Sequence, residues 1–158
     1  TKHTNYEQAN RIPILIVAPG VAKGGSVTRQ LAETVDIYPT VAELAGLPVP
    51  KGPQSIDGKS LVPVLKNPKA RVRDHAFHAY PRRRLGRAIR TERYRLVEWR
   101  NPEPVNKAEY ELYDYSKGSV ETVNLAKKKP ALVKELATTL AKYPEPVSRG
   151  GRKPKKNK

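Results

Sequence analysis

The sequence predicts an α/β fold, the end of a larger sheet followed by a small antiparallel sheet that carries a terminal helix. Three observations predict it. A continuous apolar run, "IPILIV" at residues 12–17, precedes a helix-periodic segment, "DIYPTVAELA" at residues 36–45. Three short runs of strand character then follow, at residues 87–90, 94–100 and 109–115. Last, residues 130–142 repeat leucine at every fourth position.

Residues 12–17 are β-branched or leucine apart from Pro13, and "APG" ends the run. An unbroken apolar run of this length reads as a strand buried in a parallel sheet. Pro13 is tolerable there because the first residues of a strand can lack a ladder donor. After a glycine-bearing connection, Ile37, Val41 and Leu44 fall at i, i+4 and i+7, one face of a helix. Pro39 sits in its first turn, and Gly46 followed by Pro48 stops it. Strand followed by helix is the unit of an α/β sheet.

Pro48, Pro50, Pro53, Pro63, Pro68 and Pro81 make the next stretch mostly connection, with room for one helical turn near residues 60–65. Residues 94–100 alternate in part, with Tyr94 and Leu96 on one side and Val97 and Trp99 on the other. Tyr94 and Trp99 read as core. In residues 109–115, Tyr110 and Leu112 alternate against Glu111 and Tyr113. The final helix opens on Pro130 and stacks Leu132, Leu136 and Leu140, a stripe expected to pack across the small sheet.

Composition excludes several chemistries. A chain of 158 residues without cysteine forms no disulfide, thiolate metal site or cysteine nucleophile. Its longest apolar stretch, residues 12–18, is too short to span a bilayer, and no signal-peptide pattern is visible. Basic residues outnumber acidic ones 31 to 15, giving a net charge of +16. Six basic residues and no acid occupy the last ten positions, which read as a disordered, solubilising tail with a weak attraction for polyanions. Residues 82–95 carry seven arginines, but apolar residues interleave with them, so that segment is expected to be structured. No nucleic-acid motif accompanies the charge.

Six motifs occur in order: "KHTNYEQANRIPILIVAPG", "DIYPTVAELAGLPVP", "DGKSLVPVL", "RDHAFHAYPR", "GRAIRTERYRLVEW" and "ELYDY" followed by "VNLA". Together they resemble the C-terminal part of a sulfatase, in particular the iduronate-2-sulfatase-like branch of the alkaline-phosphatase-like superfamily. The resemblance covers residues 1 to about 143. It implies that residues 1–73 end the large α/β domain, that residues 74–143 form the small antiparallel sheet with its helix, and that residues 144–158 are the basic tail. It also implies that the chain begins at a cut edge, with the catalytic core upstream. The formylglycine nucleophile and the calcium ligands of the family belong to that core, so this chain alone is expected to be inactive. A sulfated carbohydrate substrate, the missing N-terminal sulfatase domain as partner, and a periplasmic or secreted location are likewise implied.

The resemblance singles out Lys2, which precedes an E-x-x-x-R-x-P stretch matched by Glu7, Arg11 and Pro13. In related sulfatases that lysine contacts the sulfate group. An ammonium there stabilises the charge that develops on the leaving oxygen during sulfur–oxygen cleavage. His3, adjacent to it, could serve as an acid near neutrality. Arg11 is expected to pair with a carboxylate such as Glu7. His75, His78, Tyr80 and Arg82, in a loop-rich connection, are candidates for gripping an acidic or sulfated sugar, since arginine reads sulfate bidentately and tyrosine stacks on sugar faces. Asp74 and His75 look like a metal pair, but two adjacent ligands without a third carboxylate make no hard-cation site. Where the family often has Asp-Pro after "ELYD", this chain has Gly118-Ser119. The alternatives to the sulfatase reading are a basic polyanion-binding module and a purely structural one.

Overall fold

The computed structural model describes residues 4–48, 52–81, 85–101, 107–118 and 120–145. The basic tail lies almost wholly outside them. The elements are α1 (Glu7–Asn10), a 3-10 turn (Thr34–Asp36), α2 (Ile37–Leu44), α3 (Val62–Lys66), β1 (His75–Pro81), β2 (Leu85–Thr91), β3 (Tyr94–Arg100), β4 (Glu109–Asp114) and α4 (Pro130–Leu140). They divide into two compact units, one drawn from Thr1–Asn10, His78–Ile89 and Tyr94–Lys158, the other from Arg11–Phe77 and Arg90–Arg93.

The first unit is built on a four-stranded sheet of order β1-β2-β3-β4. β3 and β4 run antiparallel, with Arg95 opposite Tyr113, Leu96 opposite Leu112 and Val97 opposite Glu111. Because side chains alternate across a strand, Arg95, Val97, Glu111 and Tyr113 share one face, while Leu96, Glu98, Tyr110 and Leu112 share the other. Both faces are sealed: the adjacent residues Leu96 and Val97 are each 0% exposed. Ala88, Val97 and Tyr113 form a core cluster flanked by Tyr6, Trp99 and Tyr115. Tyr6 meets Tyr113 edge-on, with ring centroids 5.8 Å apart. Helix α4 packs against β3 as its leucine stripe requires, with Leu136 and Leu140 buried.

Two details tie the sheet down. The Asn124 Oδ1 accepts from the Leu112 and Ala126 amides at 3.1 and 2.9 Å, and the Leu125 amide donates to the Leu112 carbonyl at 2.7 Å. "VNLA" is thus a clasp on the free edge of β4. Arg87, also buried, donates to Glu98 at 2.6 Å, to the Tyr143 and Pro144 carbonyls at 3.1 and 3.4 Å, and to Glu145 at 3.2 Å. Tyr110 and Arg100 also donate to Glu98, at 3.0 and 3.3 Å. Burial pushes the Glu98 carboxyl up, but the hydrogen bonds and charges of these partners outweigh it and hold the group below the usual range.

In the second unit the helix predicted over residues 36–45 is present, preceded by the 3-10 turn. Its "DIYPT" residues act as hydrogen-bonding groups. Asp36, 0% exposed, accepts from the Glu33 and Lys59 amides, each at 2.8 Å, and from Arg73. Thr40 donates to the Asp36 carbonyl at 2.6 Å and accepts from the Leu61 amide at 2.8 Å. The "DGKSL" segment is thereby stitched to the start of α2. Gly58 sits where any Cβ would collide with the Val35 carbonyl. At the other end, Gly46 adopts φ +65°, and the Leu47 and Gly46 amides bond back to Ala42 and Glu43 at 2.9 and 3.1 Å, a Schellman stop.

Two expectations are corrected here. Residues 12–17 form no strand, and Leu15 and Val17 are 87% and 92% exposed. A strand exists only by pairing its amides and carbonyls with a neighbour, and among the described residues none lies beside this run. The predicted α2 stripe also faces outward: Ile37 and Val41 are 42% and 57% exposed, whereas Pro39, Thr40 and Ala42 are buried. The bonds made by Asp36 and Thr40 turn the polar edge of the helix inward.

Candidate functional site

Lys2, His3 and Arg82 lie outside the described residues. The chain that follows Lys2 and His3 is well defined, and its geometry carries the site. Residues 5–10 lie against the Arg95 face of the sheet, where the sequence spends bulky and charged side chains to hold the segment.

Asn5 is fully buried, its amide packed close to Gly86 and Trp99, so that a Cβ at residue 86 would collide with both. Only glycine fits at that position of β2. Arg95, 3% exposed, donates from Nη1 to the Asn5 carbonyl at 2.9 Å, from Nη2 to Glu7 Oε2 at 2.6 Å and from Nε to the Tyr115 hydroxyl at 3.0 Å. The Glu7 amide donates to Glu121 Oε1 at 2.7 Å, and the same oxygen accepts from the Tyr115 hydroxyl. The Tyr6 and Tyr113 hydroxyls both donate to Glu111 Oε2, at 2.8 and 3.1 Å. Glu7 therefore pairs with Arg95, and Arg11, expected to be its partner, is exposed.

Burial and the neighbouring carboxylates push these tyrosines up. Tyr113 reaches about 12, driven by desolvation and then by Glu111, and Tyr6 and Tyr115 rise further for the same reasons, with Glu111 and Glu121 as their partners. All three hydroxyls thus stay protonated donors at neutral pH. The cluster is a clamp on the backbone of residues 5–7.

The connection expected around "DHAFHAYPRRR" is strand β1 over its first part. Alternation puts His78 and Tyr80 on one face and His75 on the other, so the strand does not present all three together. His78 Nε2 is buried without a hydrogen-bond partner. Burial, and secondarily the charge of Arg95, lower its pKa. Asp74 is exposed and pairs with Arg71 at 3.6 Å. Among the described residues no group of three or more His, Cys, Asp or Glu converges to hold a metal ion. In the second unit, a groove of about 390 Å³ lined by Ile16, Ala18, Val27, Val64 and Leu65 has Lys23 as its one charged lining residue.

Sequence reasoning missed Arg95, Asn5, Glu111, Tyr115 and Glu121. The available signal was an arginine at the same alternation phase as Val97, an inward position that a charged residue occupies only when paired. The arginine-rich segment is correspondingly less available for polyanions than its count suggests, since Arg87 and Arg95 are buried in ion pairs.

Residues 1–145 match the family described as "N-sulphoglucosamine sulphohydrolase, C-terminal". The chain is 33% identical over 141 residues to a sulfatase of Formosa agariphila, covering 82% of this chain and 25% of that protein. It is 31% identical over 159 residues to an N-acetylglucosamine-6-O-sulfatase of Bacteroides thetaiotaomicron, covering 90% and 27%. A solved structure assigned as a sulfatase, also from B. thetaiotaomicron, superposes with a TM-score of 0.55 at 28% identity, covering 68% of this chain and 23% of that one. The chain thus spans about a quarter of the length of the curated relatives it matches.

Proposed function

The chain belongs to the N-sulphoglucosamine sulphohydrolase C-terminal family of sulfatases, and from that premise we propose that it is the C-terminal region of an enzyme hydrolysing sulfate esters on sulfated glycans. The observation that carries this reading is the family match running unbroken from residue 1 to residue 145. The N-acetylglucosamine-6-O-sulfatase relative supports a carbohydrate substrate. An iduronate-2-sulfatase-like specificity is the finer reading, and it rests on the order of the sequence motifs.

Lys2 is the sulfate-contacting residue in this proposal, lending an ammonium to the charge that builds as the sulfur–oxygen bond breaks. His3 is the proton donor to the leaving oxygen in this proposal. His75, His78, Tyr80 and Arg82 are retained as sugar contacts, with His78 and Tyr80 the pair that one strand face can present together. The nucleophile and any calcium site belong to an N-terminal sulfatase domain, with residues 1–73 completing its α/β fold, residues 74–143 forming the small subdomain and residues 144–158 the tail. The 158-residue chain alone is inactive in this reading. A periplasmic or secreted location accompanies it, and no helix among the described residues is long and apolar enough to cross a membrane.

The test is sulfate release by the full-length protein from 6-O-sulfated N-acetylglucosamine, 2-O-sulfated iduronate disaccharides and an aryl sulfate, followed by ion chromatography. Turnover of at least one substrate, lowered at least a hundredfold by Lys2→Ala, is expected. Folded full-length protein that releases nothing, or Lys2→Ala with unchanged turnover, would overturn the reading.

A further inference from the structure

The clamp around Asn5 and Glu7 concentrates buried groups on one short segment. We infer that Arg95 is a positioning residue that fixes where the Lys2–His3 pair can reach. The inference rests on the reading of Lys2 as the sulfate contact.

Covalent geometry gives the first step. Lys2 precedes Asn5 by three residues, and an extended chain spans at most about 3.6 Å per residue, so Asn5 is a short tether from the pair. What fixes Asn5 is a fork: one guanidinium holds the Asn5 carbonyl and the Glu7 carboxylate through two different nitrogens, at 2.9 and 2.6 Å. The planar fork sets direction as well as distance, which a lysine in its place could not do.

The second step is that this position is over-determined. Asn5 Nδ2 and Oδ1 are both buried with no hydrogen-bond partner. Burying an amide in that state is unfavourable, and it persists only where surrounding contacts dictate the site. Those contacts are the Arg95 fork, the bond from the Glu7 amide to Glu121, and the Tyr6 anchor on Glu111. Glu121 in turn is held by Tyr115, which Arg95 also engages. Arg95 is the residue common to both ends of the segment.

The third step is chemical. A lysine stabilises a developing charge in proportion to how well it is aimed, and a displacement of about 1 Å can lower a rate roughly a hundredfold. Arg95 is 3% exposed and its guanidinium is engaged by Asn5, Glu7 and Tyr115, so in this proposal its effect on turnover runs through Lys2.

A double-mutant cycle in the full-length protein tests this, with thermal unfolding measured in parallel. Arg95→Lys and Glu7→Gln are expected to lower kcat about tenfold to a hundredfold with KM changed less than threefold. In a Lys2→Ala background the same substitutions should lower kcat by less than twofold, because the group they aim is gone. Equal losses in both backgrounds would overturn the positioning role and leave Arg95 as a stability residue. Loss of kcat in neither background would overturn it too. Lys2→Ala without effect would instead sink the reading of Lys2, an outcome the cycle reports separately. Should Arg95→Lys fail to fold, Glu7→Gln, which keeps a hydrogen-bonding side chain of the same size, carries the comparison.

Discussion

The two units of this chain bury their apolar residues to different extents. In the unit built on the sheet, Ile89, Leu96, Val97, Leu112 and Leu140 are fully buried, and the charges that enter the interior arrive in pairs. In the other unit Leu61, Val62 and Val64 are buried, but Ile12, Leu15, Val17, Val27, Ile37 and Val41 are exposed, and a hydrogen-bonded hub around Asp36 and Thr40 ties its segments together. One unit closes its own core and the other leaves a long apolar run unpaired. Sequence hydrophobicity alone does not separate the two, since "IPILIV" is more apolar than any strand of the sheet. A strand is a property of a pair of segments, whereas burial in the sheet follows from neighbours supplied within the same chain.

That contrast can be sharpened by substitution. The largest effect is expected in the sealed sheet. Leu96→Ala removes a fully buried side chain and should destabilise the first unit by about 2–5 kcal/mol, read as a shifted denaturation midpoint by circular dichroism. An unchanged midpoint would mean the sheet core is not closed as described.

A smaller effect is expected from pH. The folded pKa of His78 is lowered, so the unfolded chain binds its proton first as pH falls below about 6.5. Stability is therefore full above that value and declines as pH drops toward the folded pKa. Thermal unfolding between pH 7.5 and 5.5 should show this slope in the native chain and a flatter one in His78→Gln, and equal slopes would exclude the buried neutral imidazole.

The smallest effect belongs to the other unit. Leu15→Ser with Val17→Ser should change stability by less than about 0.5 kcal/mol per site, since both side chains already face solvent. Binding of a hydrophobic dye should nevertheless fall. A large loss of stability would show that the run is packed in solution.

Much of the sheet unit was legible because its signals are local. The bounds of β3 at Tyr94–Arg100 and the leucine stripe of α4 follow directly from residue periodicity. Strand β1 was missed because "HAFHAYP" has no β-branched residue or leucine and ends in proline, which reads as a connection. The outward turn of α2 was illegible for another reason: nothing in its periodicity reports that Thr40 bonds the amide of Leu61, 21 residues away. The clamp was the least legible part. Arg95 and Glu7 are 88 positions apart, and Arg11, only four positions from Glu7, was the more obvious partner by proximity.

The Arg87 network also decides where the polypeptide can be shortened. A chain ending just after α4 would keep every strand and helix of the unit, yet it would strip the guanidinium of the Tyr143 and Pro144 carbonyls and of Glu145. Of these bonds the buried Arg87 guanidinium would keep the one to Glu98 and lose the rest. A shortened chain that keeps this network therefore has to extend at least to Glu145, five residues beyond the last helical residue of α4.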